Sequence, residues 1–382
     1  MMSKIRLFTP GPVPVLPQAL KVMSEPIIHH RSADFIAVLE EVRKGLKDLI
    51  ETKQEILLLS SSGTGAMEGA VVNLFSPQDK VIVVRAGKFG ERWFSIAKAF
   101  GLNIVPIDIP WGEAPTREQI EKVFKENLDA KGIFIQACET STGVNFPVQD
   151  IAAFTRTQNV LLIVDAISYL GVSPFYMDAW GVDVLVSGSQ KGLMLPPGLS
   201  FVCLSDRAWE QQKKSHLPKY YFDFAKELKA MIQNQTAYTP AVSLILGLRE
   251  VLRYFKEHGK ENIFLKYKTY SDAMREAAQA LELELFAKSP SHGLVSIRVP
   301  EKIDGQKIVR ELRDHHQMTI AGGQDQLKGK ILRISCMGYI DALDLISVFA
   351  ALEKVLKQQG AQIPFGKGVE RLQVRLLARS TS

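Results

Sequence analysis

The segment SGSQKGLMLPPG, Ser187 to Gly198, sets a lysine, Lys191, just past the apolar run Val182–Val186 and surrounds it with small residues, Gln190 and prolines. An isolated lysine in such a loop is ordinarily a solvated surface residue. An amine kept from water is different, because desolvation lowers its pKa and makes it both a base and a nucleophile. Other groups that could do chemistry also follow apolar runs. Asp165 ends VLLIVD, where an acid is costly to bury without a cation. SSSGTGAMEGA follows Ile56–Leu59 and offers the N–H groups of Gly63 and Thr64 at the start of a helix, a cradle for phosphate. No GK[ST] follows it and it is not GxGxxG. Phe89, in AGKFGERW, offers an aromatic plate, and ACETSTGVNFP is rich in hydroxyls from Glu139 to Gly143. Each has a plainer reading taken singly: N-cap, turn, core packing.

The elements that must position these groups are legible as short apolar runs alternating with helical patterns. The expected strands are Ile56–Leu59, Val81–Arg85, Asn103–Ile107, Gly132–Gln136, Val160–Val164, Val182–Val186 and Ser200–Leu204. Near-continuous apolar strands separated by helices indicate an α/β architecture, a mixed, mostly parallel sheet covered on both faces. From about Lys266 the texture changes to a smaller α+β unit: a long helix, the strand LVSIRV, the helix DGQKIVRELRDHH, the strand KILRIS, and a last helix capped by Asp341. The expected division is an N-terminal arm (1–18), a large domain (19–260) and a small C-terminal domain (261–382) whose tail after Gly360 is irregular.

Composition bounds the function classes. Lysines and arginines are interleaved with acids, so the net charge of +6 reads as solvated helix faces, against a nucleic-acid partner. No apolar run reaches a membrane span and the N-terminus lacks a secretory h-region. The three cysteines, Cys138, Cys203 and Cys336, lie far apart, which points to a reducing, cytoplasmic setting and to no metal site. His29, His30 and Arg31 could sit near a site mouth or simply enter a helix; His315 and His316 end a helix and suit its dipole.

In open α/β sheets, ligands sit beyond the carboxyl ends of the strands. A phosphate cradle, an aromatic plate, an acid and a lysine at such ends fit one cofactor, pyridoxal 5′-phosphate. Its aldehyde needs an amine and its ring nitrogen an acid partner. The interval from Asp165 to Lys191 holds one crossover and one strand.

With these motifs on the page, the chain resembles the class V aminotransferases of pyridoxal-phosphate fold type I. The branch is that of alanine–glyoxylate and serine–glyoxylate (serine–pyruvate) aminotransferases, including proteins labelled as a 42 kDa or small subunit of soluble hydrogenase. The similarity runs from FTPGPVPV and HHRSADF through SSSGTGAMEGA, GKFGERW, ETSTGV, VDAISYLG and SGSQKGLMLPPGLSF to TPAVSLILGL and AGGQDQLKGKILRIS. The resemblance implies that Lys191 holds the cofactor as a Schiff base and then shuttles a proton, while Asp165 pairs with the ring nitrogen. It implies that Gln190 bonds the ring hydroxyl and that Thr140 contacts the ring. Phe89 stacks on the ring where many relatives have Trp, and Ile167 joins the cofactor-binding set. Ser62, Gly63 and Thr64 hold the phosphate, completed by Thr239 from a second subunit of a homodimer. Arg333 in ILRIS matches the arginine that grips the substrate carboxylate. The implied reaction is ping-pong transfer of an amino group from serine or alanine to glyoxylate or pyruvate. Its alternatives are an aspartate aminotransferase, a lyase or desulfurase of the same class, and a non-catalytic hydrogenase-associated subunit. Against the desulfurase, Gln190 stands where those enzymes carry histidine; against the hydrogenase subunit, three scattered cysteines cannot ligate a cluster.

Overall fold

A computed structural model of the chain describes residues 5–377. The sequence produces seven strands that form one sheet: β1 (Ile56–Leu59), β2 (Lys80–Arg85), β3 (Asn103–Asp108), β4 (Gly132–Gln136), β5 (Leu161–Asp165), β6 (Val184–Gly188) and β7 (Ser200–Leu204). Their spatial order is β1-β7-β6-β5-β4-β2-β3. Only β7 runs antiparallel, pairing with β1 on one side and β6 on the other. The strands β1, β4, β5, β6 and β7 are buried along their whole length, which is why they read as unbroken apolar runs with no alternation.

Two strands sit later in the chain than the apolar runs suggest. β5 ends at Asp165 itself and β6 extends to Gly188, since main-chain pairing continues through polar residues when both neighbours are present. The shift places Asp165 in the ladder opposite Gln136 and Val186 and leaves Lys191 a short loop away.

Helices cover both faces. Those that bear on the site are α1 (Ala33–Ile50), α2 (Gly63–Leu74), α3 (Lys88–Ala99), α4 (Phe224–Met231), α5 (Val242–His258) and α6 (Lys260–Ala280). The last third contains α7 (Gly305–His316), α8 (Ala342–Gln358) and α9 (Lys367–Leu377). These pack with an antiparallel three-stranded sheet of β8 (Leu294–Arg298), β9 (Ala321–Gly322) and β10 (Ile331–Ser335), in the order β8-β10-β9. Asp341 caps α8 through a capping box with Asp344, as its position before the apolar period implies. None of the described helices is long and apolar enough to cross a membrane.

The segment after Gly360 corrects the expectation of an irregular tail. Residues 367–377 form α9, with Leu372 fully buried and Gly368 pressed against Leu281 and Glu353. The helix carries no N-cap signal of its own. Its first N–H groups are taken by Glu353 of α8, which accepts from Gly366 N and from Val369 N at 2.8 Å. A cap supplied from another helix leaves no local trace in the sequence.

The N-terminal residues cross the C-terminal part and turn back to the large sheet. Arg6 and Leu7 pair in parallel with Met318 and Thr319, Ser335 N donates to Phe8 O at 2.8 Å, and Lys191 Nζ donates to Pro10 O.

The packing of α3 on β2 sets how close Phe89 stands to the sheet. A Cβ at Gly90 would lie 2.5 Å from Val84 O and 2.8 Å from Arg85 Cα, both main-chain atoms that cannot step aside. Gly90→Ala is therefore expected to push α3 outward and to cost about 1–3 kcal/mol. A thermal melt should show a lowered midpoint, while Ser95→Ala on the exposed side of the same helix melts with the wild type. An unchanged midpoint for Gly90→Ala would mean that α3 slides without penalty.

Candidate active site

The carboxyl ends of β4, β5 and β6 lie side by side and bring together groups far apart in the chain. Asp165 is 4% exposed, and its Oδ1 accepts one hydrogen bond, from Ile167 N at 2.8 Å. No lysine or arginine pairs with it among the described residues. Burial pushes its carboxyl up to about 7, assisted by the nearby Glu139 and opposed by that hydrogen bond and by Arg92 and Lys191.

Lys191 is 8% exposed and donates to Pro10 O. Burial, then the positive charge of Arg333, brings its amine down to about 8, with Asp165 pulling the other way. Gly11 passes directly over the lysine amine with φ +143°, a backbone conformation that residues other than glycine rarely adopt.

Arg333, on β10, is 6% exposed, and all its hydrogen bonds go to main-chain carbonyls: Nη1 to Thr140 O at 2.8 Å, and Nε and Nη2 to Gly322 O at 3.0 and 2.8 Å. Burial lowers it to about 10. A guanidinium spending its donors on neutral oxygens is poised for an anion. Thr140 Oγ1 donates to Ser168 Oγ at 2.6 Å, so this loop joins Arg333 to the end of β5.

Gln190 leaves Oε1 buried without a partner. Ser62 precedes α2 in extended conformation without using its side chain to cap it, which leaves the first N–H groups of α2 available. Ile167 packs directly on Gly63, where any Cβ would overlap its side chain. Phe89 lies in the first turn of α3, half-buried.

Glu139 was read from the sequence only as part of a polar loop, and it organises this end of the sheet. Fully buried, it accepts from Phe89 N at 3.1 Å, Gly90 N at 3.0 Å, Ser141 N at 3.2 Å and Ser141 Oγ at 2.5 Å. It thus caps α3 from across the site. Its signal was a lone acid three residues past the end of β4, in a loop of otherwise uncharged residues. Pro10 and Gly11 had no comparable signal, since 181 residues separate Pro10 from the Lys191 that it contacts.

Thr239 stands apart. It is exposed, in the loop between α4 and α5, and within one chain it makes no hydrogen bond to the other expected site residues. The rings of His29 and His30 lie tilted with centroids 4.7 Å apart, and Arg31 bonds Gln235 in the same loop as Thr239. Cys138, Cys203 and Cys336 are buried and unpaired, and burial pushes each thiol up to about 12, far from a reactive thiolate.

The model of the class V aminotransferase family matches residues 19–345. The chain belongs to that family, and it is a transaminase. It is 39% identical over 368 residues to a protein of Anabaena cylindrica named soluble hydrogenase 42 kDa subunit, covering 94% of this chain and 95% of the relative. It is 35% identical to the L-aspartate–glyoxylate aminotransferase of Paracoccus denitrificans, over 98% of this chain and 96% of that one. The crystal structure of the ureidoglycine–glyoxylate aminotransferase of Bacillus subtilis superposes with a TM-score of 0.93 at 28% identity, covering 98% and 99% of the two chains.

The loop bearing Thr239 is tied down by a further buried acid. Glu227 on α4 is 6% exposed; Oε2 accepts from Ala237 N at 3.1 Å and Oε1 has no partner. Burial pushes its carboxyl up from an ordinary 4.5 to about 7. The folded chain therefore binds this proton more tightly than the unfolded chain. That contribution is full below pH ~4.5 and is lost as pH rises towards 7, about 3 kcal/mol in all. Unfolding the wild type and Glu227→Gln at pH 5 and pH 8 checks this. The wild type should lose more stability than the variant over that interval, by roughly that amount; equal losses would show that the carboxyl ionises freely.

Proposed function

We propose that the chain is a pyridoxal 5′-phosphate-dependent transaminase that moves an amino group from a small L-amino acid to a small 2-oxo acid, in two half-reactions at one site. The observation that carries this reading is the buried pair Asp165 and Lys191 at the ends of adjacent strands, with Arg333 bearing on the lysine. The cofactor fits the residues present. Asp165 is a buried acid lacking a cation, which a protonated ring nitrogen supplies; Gln190 Oε1 is a buried acceptor lacking a donor, which the ring hydroxyl supplies.

When bound, pyridoxal 5′-phosphate supplies an aldehyde that takes up the amino group and an electron-poor ring that stabilises charge at the substrate α-carbon. Ser62, Gly63, Thr64 and the start of α2 would hold its phosphate, joined by Thr239 from a second copy of the chain in a homodimer. Phe89 and Ile167 would flank the ring, and Thr140 would contact it. Asp165 holds its negative charge once a cation faces it, which keeps the ring nitrogen protonated. Lys191 Nζ takes the proton from the substrate α-carbon and returns it on the other side of the reaction. An amine brought down to about 8 is neutral often enough near pH 7–8 to do so. Arg333 exchanges its carbonyl partners for the substrate α-carboxylate, gaining charge-assisted bonds in place of neutral ones.

The proposed acceptor is glyoxylate or pyruvate. Relatives named for glyoxylate support the first. The family resemblance implies serine or alanine as donor, while the Paracoccus relative is named for aspartate. Adding L-serine, L-alanine or L-aspartate singly to cofactor-loaded protein, with no 2-oxo acid present, should bleach the yellow absorbance with one donor and release one equivalent of its 2-oxo acid. Lys191→Ala should bind cofactor without that absorbance and lose at least a thousandfold in turnover. A wild-type protein that stays colourless with added cofactor overturns the reading. One that no donor bleaches overturns the transaminase and leaves a lyase.

A further inference from the structure

Beside the cradle of Ser62, Gly63 and Thr64 stands a cation that neither the sequence motifs nor the reading above assigns. Arg92 is on α3, one turn after Phe89. Its guanidinium lies over the Phe89 ring, with Cζ 4.8 Å from the ring centroid, and Nη1 reaches across to donate to Thr64 Oγ1 at 3.1 Å. Among the described residues it makes no ion pair, although Lys88 on the same helix pairs with both Asp325 and Glu91. Its charge is felt at the centre of the site, where it lowers both Asp165 and Lys191.

The cradle needs such a charge. A phosphate monoester carries about −1.5 to −2 at neutral pH. A helix N-terminus offers the equivalent of only about +0.5, and Ser62, Gly63 and Thr64 add dipoles but no charge. Lys191 is committed to the other end of the cofactor. A half-buried arginine has five N–H donors in a planar fork suited to phosphate oxygens, and only one is spent here.

We infer that Arg92 is a cofactor-binding residue that pairs with the phosphate group at the Ser62–Thr64 cradle and, by stacking on Phe89, fixes that ring at the same time. The inference rests on the pyridoxal-phosphate reading of the site. Arg92 links two parts of the cofactor that the cradle and the aromatic plate would otherwise hold independently. Its stacking presets the guanidinium before the phosphate arrives, which lowers the ordering cost of binding.

The test compares pyridoxal 5′-phosphate with pyridoxal, which lacks the phosphate, by fluorescence titration of the cofactor-free full chain as wild type, Arg92→Gln and Arg92→Lys. Removing a charge-assisted contact to phosphate should weaken pyridoxal 5′-phosphate roughly 10- to 100-fold in Arg92→Gln. Pyridoxal binding should weaken only a few-fold in the variants, the share due to a less firmly held Phe89, which also shows that they fold. Arg92→Lys should recover part of the phosphate-dependent affinity, because it keeps the charge and loses the fork. Inorganic phosphate should compete with pyridoxal 5′-phosphate less well in Arg92→Gln than in the wild type. Equal weakening of both cofactors would overturn the inference and leave Arg92 a prop for Phe89. Unchanged affinity for both would overturn it outright. A wild type that binds neither form would remove the cofactor reading, and the inference with it.

Discussion

A carboxyl group at the inner end of a central parallel strand is the constraint on which the rest of this molecule depends. Asp165 has been taken out of water by β4 and β6 and receives one main-chain hydrogen bond. Leaving it ionised and unmatched is costly, so its carboxyl is raised to about 7 and drawn towards its neutral form until a cation faces it. Around it the chain gathers positive charge at a distance, in Lys191, Arg333 and Arg92, and none of these closes into an ion pair with it. The site is thus held in an electrostatically incomplete state. In the proposed reading, a bound molecule that is cationic at one end and anionic at the other would complete it.

The incompleteness is kept by rigid surroundings. Glu139 consumes four donors from the starts of α3 and its own loop, so Phe89 and Arg92 are presented by a helix whose N-terminus is fixed. Gly63 and Gly90 are glycines because Ile167 in one case and the backbone of β2 in the other occupy the space of a Cβ. Arg333 is anchored from both sides of the site, by Thr140 of the loop that follows β4 and by Gly322 of the small sheet. Groups that must change partners are few, and those that hold them are packed.

Most of the framework was legible along the chain. Strands buried on both faces read as apolar runs, and five of the seven strands of the large sheet are buried in this way; the residues after the expected strands offered Asp165, Lys191, Phe89, Thr140 and the Ser62–Thr64 turn as candidates. What escaped depended on contacts between distant segments. Helix α9 is capped by Glu353, Arg92 reaches across the site to Thr64, and Gly11 passes over Lys191. Each of these residues looks ordinary among its sequence neighbours.

The sequence by itself determined the α/β class, the alternation that brings strand ends together, and the residue types that match a family of aminotransferases. Local pattern suffices for these, because periodicity and turn chemistry act over a few residues. Only the tertiary structure decided how much water each charged group loses and which charges face one another. Desolvation and Coulomb interaction are set by three-dimensional surroundings, and the same aspartate or lysine would be unremarkable at the surface.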